Sequence, residues 1–163
     1  VWTSNGTGTL SDETTLTPTY TPGAGETGII TLTLTAQPNS GCSTAVVSTM
    51  TITINGSATA SAGADATICE GSTHTLSGSA TNYVSYVWTT SGTGSFNNPT
   101  TTLTPVYTPS AADIAAGTVT LTLNVTANAP CSNTSASMVL TITSSPEADA
   151  GVDVTICQAQ PLQ

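Results

Sequence analysis

Apolar and polar residues alternate along much of this chain, and the alternation lays out strands. In I-I-T-L-T-L-T (29–35), Ile30, Leu32 and Leu34 share one side and threonines take the other. That period of two predicts a half-buried β-strand. Met50, Ile52 and Ile54 repeat the pattern, as do Val119, Leu121, Leu123 and Val125, and then Met138, Leu140 and Ile142. In 58–144 the strands are expected near 64–68, 73–80, 83–90, 100–107, 117–126 and 136–143, with a short one near 93–96. Nearer the start, 1–3 reads as a strand end and N-G-T-G (5–8) as a turn. T-L-T-P-T-Y (15–20) reads as a strand that Pro18 confines to an edge or bulge. The one helical stretch is S-A-A-D-I-A-A-G (110–117), with Ser110 to cap it, Asp113 in its first turn and Gly117 to end it. The fold class is all-β.

These elements recur. Trp88 answers Trp2 at a distance of 86, Tyr107 answers Tyr20 at 87, and Cys131 answers Cys42 at 89. Met138 answers Met50 and Cys157 answers Cys69, both at 88. A period near 88 residues is too long for a solenoid turn and suits a string of small β-sandwiches. The expected division is 1–57 as the C-terminal part of one repeat, 58–144 as a complete repeat, and 145–163 as the start of a third. Trp2, Trp88, Leu121, Leu123, Met138, Leu140 and Ile142 are the expected core. Val1 corresponds to Val87 and Gln163 to Thr75, so the two ends are complementary parts of one repeat, lacking the counterpart of 76–86. Two readings follow: a window on a longer array, which is preferred, or strand donation between copies, with 145–163 completing the first repeat of a neighbour.

Composition narrows the function. The 163 residues include 9 acidic side chains and no Lys or Arg, a net charge of −9. A nucleic-acid binder needs cations against phosphate, and a protein drawn to anionic lipid needs a basic patch. Both classes are excluded, and no apolar run reaches the ~20 residues of a membrane span. Without Lys, isopeptide crosslinks to Asn cannot form either.

The four cysteines are then the available covalent staples. Two per repeat at matching positions read as a disulfide framework in an oxidising compartment. The economical pairing is Cys69 with Cys131 inside one repeat, with Cys42 and Cys157 paired to repeats outside this segment. Topology leaves a second arrangement open. If the first strand is full length, each cysteine faces the adjacent module and bonds run between neighbours.

Catalytic chemistry finds little support. His74 is the sole histidine, and its counterpart in the third copy is Leu162, which marks a packed strand position. No serine has a repeated His and acid beside it, and no G-x-S-x-G occurs. The reading is therefore non-enzymatic. Asp65, Glu70, Glu147, Asp149 and Asp153 gather near the repeat junctions, where hard oxygen ligands could hold Ca²⁺ and stiffen a joint. No D-x-D-x-D-G loop accompanies them, so solvation of a nearly uncharged surface is the preferred account, and no cofactor is expected. The threonine rows Thr31, Thr33, Thr35 and Thr118, Thr120, Thr122 would suit ice only if flat, whereas sheets twist.

Together, A-G-A-D-A-T-I-C-E-G (62–71), V-W-T-T-S-G-T-G (87–94), T-P-S-A-A-D-I-A-A-G (108–117) and P-C-S (130–132) carry a resemblance. They resemble the tandem Ig-like or PKD-like repeats of giant Bacteroidota cell-surface proteins, including gliding-motility-type adhesins exported by type IX secretion. The W-D-F-G-D-G segment of PKD domains is replaced by V-W-T-T-S-G-T-G. The resemblance implies an extracellular, non-catalytic spacer or filament shaft at the cell surface, whose partners are neighbouring repeats. The alternative function is an adhesive module that binds a glycan or another surface, although aromatics make up only 4 % of the chain.

Overall fold

A computed structural model describes residues 1–39, 41, 43–155 and 157–158. It is mostly β, as the alternation requires. The first copy supplies β1 (Trp2–Ser4), β2 (Thr9–Ser11), β3 (Thr19–Thr21), β4 (Gly28–Ala36) and β5 (Val46–Ile54). The second supplies β6 (Thr59–Ser61), β7 (Ala66–Cys69), β8 (His74–Thr75), β9 (Ser79–Thr81), β10 (Tyr83–Thr90), β11 (Ser95–Phe96), β12 (Val106–Thr108), a short helix α1 (Ala111–Ala116), β13 (Thr118–Ala127) and β14 (Thr134–Thr143).

In the second copy, one sheet runs β10-β13-β14-β7, antiparallel except that β7 lies parallel to β14. Two smaller sheets, β11-β12-β8 and β6-β9, make the rest. The apolar side of the alternation decides which face turns inward. Trp88, Val119, Leu121, Leu123, Val125, Met138, Leu140 and Ile142 form one cluster with Ala62, Leu76 and Tyr107, and Phe96 and Leu103 pack on its margin. Burying each large apolar side chain contributes roughly 1.5–3 kcal/mol. Thr118 on the other side is exposed, and Thr120 and Thr122 are half-buried.

The register repeats between copies. Trp2 faces Leu34 as Trp88 faces Leu123, and Leu32 faces Met50 as Leu121 faces Met138. Leu10 faces Tyr20 as Phe96 faces Tyr107.

Several expected elements break where tertiary contacts intervene. The expected strand 73–80 is two pieces, because it leaves β12 after Thr75 and joins β6 from Ser79. Between them Gly78 crosses the Trp88 indole so closely that a Cβ would lie 2.6 Å from its ring. The expected strand near 64–68 is shifted to Ala66–Cys69, and Thr59–Ser61 before it belongs to another sheet; Gly63 at φ +86° makes the change. The strand expected over 100–107 is shortened and shifted to Val106–Thr108, since the Leu103 carbonyl accepts from Trp88 Nε1 at 3.2 Å rather than from a strand. The helical stretch is as expected: Ser110 and Asp113 form a capping box, and Gly117 closes α1 in the left-handed region.

Trp2 departs from its expected place in the core. It is only half-buried, and its indole Nε1 donates to the Thr15 carbonyl at 3.2 Å in an exposed contact. Residues 145–155 are exposed and form no strand, whereas the matching β7 lies on β14. Cys42 and Leu162 lie outside the described residues.

Candidate functional site

The most organised polar site is one that the alternation does not reveal. Asp113 is 3 % exposed, the one charged side chain among the buried residues described. Its Oδ1 accepts from Thr93 N at 2.9 Å. Its Oδ2 accepts from Gly94 N at 2.9 Å, Ser110 N at 3.0 Å and the Tyr107 hydroxyl at 2.7 Å. Burial pushes this carboxyl up, but the Ser110 N–H, the Tyr107 hydroxyl and the Thr93 and Gly94 N–H groups outweigh it and hold the group at about 2. Burial, in turn, holds the Tyr107 phenol above its ordinary value, with Asp113 adding to the effect.

The first copy builds the same clamp with a longer acid. Glu26 accepts from Thr7 N, from Gly23 N at 2.8 Å and from the Tyr20 hydroxyl at 2.8 and 2.9 Å. The Gly23 N–H is the chief cause that lowers its carboxyl, with Tyr20 and Thr7 assisting. The turns N-G-T-G and S-G-T-G follow from this. A Cβ on Gly6 or Gly92 would collide with the Glu26 or Asp113 carboxylate, and one on Gly8 or Gly94 with the tyrosine hydroxyl. The clamp ties the turn after β1 or β10 to the chain after β3 or β12. At Asp113 the buried, ionised, fully hydrogen-bonded carboxylate has no proton to give at neutral pH and no free face for a ligand, so the clamp holds structure. The signal for it was in the sequence: a tyrosine six residues before an acid in both copies.

A second arrangement lies where the copies meet. Asn55 Nδ2 donates to the Ala129 carbonyl at 2.7 Å, and Cys131 Sγ lies 3.5 Å from the Asn55 carbonyl. Asn82 Nδ2 donates to the Ser57 carbonyl at 3.0 Å. The three-residue N-G-S link is thus held by two loops of the second copy.

The structure corrects the intramodule pairing of Cys69 with Cys131. Both thiols are free. Cys69 is the ladder partner of Thr143 at one end of β14, whereas Cys131 precedes Thr134 at the other. Ten strand residues span about 30 Å, against the roughly 7 Å that a bridged pair of Cα atoms tolerates. Cys157 is free and exposed.

The acidic residues are not brought together. Asp65 Oδ1 accepts from Val139 N at 2.7 Å, and Asp149 Oδ1 accepts from Gly151 N at 2.8 Å. Glu70, which follows β7, is half-buried, and Glu147 and Asp153 are exposed. Among the described residues no three His, Cys, Asp or Glu side chains converge on a metal position. His74 is half-buried and paired in register with Tyr107. An open groove of about 570 Å³ beside β10 and β13 is lined by Tyr86, Val87, Asn124, Asn133 and neighbours, none of them ionisable near neutral pH. Among the described residues, no helix is long and apolar enough to cross a membrane.

Compared with known proteins, the chain matches no family model and no curated protein.

Proposed function

We propose that this chain is a run of tandem immunoglobulin-like β-sandwich modules of about 88 residues, divided as 1–57, 58–144 and 145–163. They serve as a non-catalytic shaft or spacer outside the cell, in a surface adhesin of the type IX, gliding-motility kind. Strand order supports the sandwich: β7 parallel on β14, followed by β13 and β10, opposite β6-β9 and β8-β12-β11. The observation that carries the shaft reading is repetition of one build. Ladder register, tyrosine–carboxylate clamp and glycine turn all recur, and what joins the copies is a three-residue link held at both sides. A link so short and so bonded spaces modules rather than freeing them.

The test is small-angle scattering of a fusion that carries the chain twice, with Leu76–Tyr86 inserted between to keep the repeat in phase. A shaft lengthens with each module, so the maximum dimension should be about twice that of the single chain. A fusion no longer than the single chain would refute it.

One observation favours the adhesive reading instead: the groove sets Tyr86 beside Asn124 and Asn133, a ring and two amides of the kind that hold sugars. A glycan array probed with the chain is expected to stay blank. Binding abolished by Tyr86→Ala would move the protein to that class. Strand donation between copies predicts an associating chain, and sedimentation is expected to show a monomer.

A further inference from the structure

We propose that consecutive modules are stapled by a disulfide between the cysteine that closes β7 in one module and the hairpin cysteine of the next. The proposal rests on the tandem-array reading and adds a covalent joint to it.

Two placements meet at one residue. Cys69 lies on β7, an edge strand, exposed and in ladder register with Thr143. Cys131 lies at the far end of its module and reaches backwards, its sulfur 3.5 Å from the Asn55 carbonyl of the first copy. Asn55 is the counterpart of Thr143: Met50, Ile52 and Ile54 in β5 align with Met138, Leu140 and Ile142 in β14, and the next residue in step is Asn55 or Thr143. Thus the hairpin cysteine of one module touches the residue beside which, in the preceding module, the β7 cysteine belongs.

Ladder neighbours lie about 4.8 Å apart. The carbonyl of Thr143 points toward β7, accepting from Glu70 N, so a β7 cysteine beside Asn55 would lie on the side of that residue which the Cys131 sulfur touches, and the staple requires the two Cα atoms within roughly 7 Å. The Asn55–Ala129 hydrogen bond holds the hairpin in place for it. In sequence, Cys157 occupies the β7 position of the third copy and Cys42 the hairpin position of the first. By this rule none of the four has its partner within the 163 residues, in keeping with the free Cys69, Cys131 and Cys157.

The oxidant is a small disulfide such as glutathione disulfide. The first cysteine thiolate attacks it and expels one glutathione thiolate, leaving a mixed disulfide. The second cysteine thiolate displaces the other glutathione as the protein S–S bond forms. Two protein thiols are oxidised, one glutathione disulfide is reduced to two thiols, and two protons pass to glutathione and solvent. The product bridges the joint, so tension that opens the N-G-S link cannot part the modules.

The test has two arms, both with glutathione disulfide as oxidant and peptic mapping by mass spectrometry under acid conditions. In the chain as it stands, no protein disulfide should form within the folded monomer; an internal Cys69–Cys131 bond would overturn the proposal. In the two-chain fusion, the expected crosslinked peptides are Cys69 with Cys42 and Cys157 with Cys131. Cys131→Ser should abolish the second link and spare the first. Links of Cys69 with Cys131, or eight unlinked thiols in a fusion that scattering shows extended, would sink the staple and leave the array standing. A fusion that collapses refutes the array and the staple with it.

Discussion

Asp113→Asn exchanges one oxygen for an amino group inside the clamp and leaves the shape unchanged. The native carboxylate accepts four hydrogen bonds, three from backbone N–H groups and one from Tyr107. An amide retains one accepting oxygen. With that oxygen toward Gly94, Ser110 and Tyr107, the new amino group faces the Thr93 N–H, so a donor meets a donor. The three remaining bonds also lose charge assistance, which roughly halves each. A buried donor without a partner costs about 1–3 kcal/mol, and the total is expected near 2–4 kcal/mol. For a module of this size, 1 kcal/mol shifts Tm by about 4–8 °C, so a fall of about 10–25 °C is expected. The assay is thermal unfolding at pH 7 followed by Trp88 emission in a Trp2→Phe background, since Trp88 is 2 % exposed and only two tryptophans are present. A fall below about 2 °C would refute the clamp, because an ordinary exposed carboxylate changes stability by no more than ~0.5 kcal/mol. Acid adds a second reading. The folded carboxyl sits at about 2, below its ordinary value of 3.8, so its contribution is complete above about pH 4 and is lost as the pH falls toward 2. Asp113→Asn should flatten that limb; parallel acid limbs for both proteins would count against the carboxylate as its source.

Other perturbations test neighbouring links. Gly94→Ala should weaken the second copy in the same assay, because its Cβ would fall 2.6 Å from the Asp113 Oδ2 and 2.5 Å from the Thr108 carbonyl; an unchanged Tm would mean that the turn has slack. Leu121→Asp places a charge at a position 0 % exposed and facing Met138, a cost above ~4 kcal/mol, and the second copy should fail to fold while β1, β4 and β5 keep their signal. In alkali, one of the four tyrosines should lag in absorbance at 295 nm. Tyr107 is held neutral above its ordinary value of 10, and its contribution is lost as the pH rises through that raised value. Trypsin should leave the chain whole even after reduction and boiling, since it contains no Lys or Arg; an internal fragment would disprove the sequence itself.

The sequence alone determined the long strands and which of their faces is apolar. Val119, Leu121, Leu123 and Val125 alternate with polar residues, and only one face of a pleated strand can take all four inside. Ser110, Asp113 and Gly117 likewise announced α1, because caps act within a few residues. The recurrence of β4 and β5 in β13 and β14 was legible for the same reason. Contacts distant in the chain decided the rest. The alternation could not tell that the strand after Cys69 changes sheets where Gly78 passes Trp88, since the obstacle is an indole ten residues further on. Nor could it tell that Asp113, ordinary as a first-turn acid, gathers donors from Thr93 and Gly94 twenty residues back. The cysteines show the limit most plainly. Their spacing fitted a bond within one repeat, but the parallel docking of β7 set Cys69 and Cys131 at opposite ends of β14. Spacing counts residues along a chain, whereas a disulfide depends on a few ångströms in space, and the length of one strand separates the two.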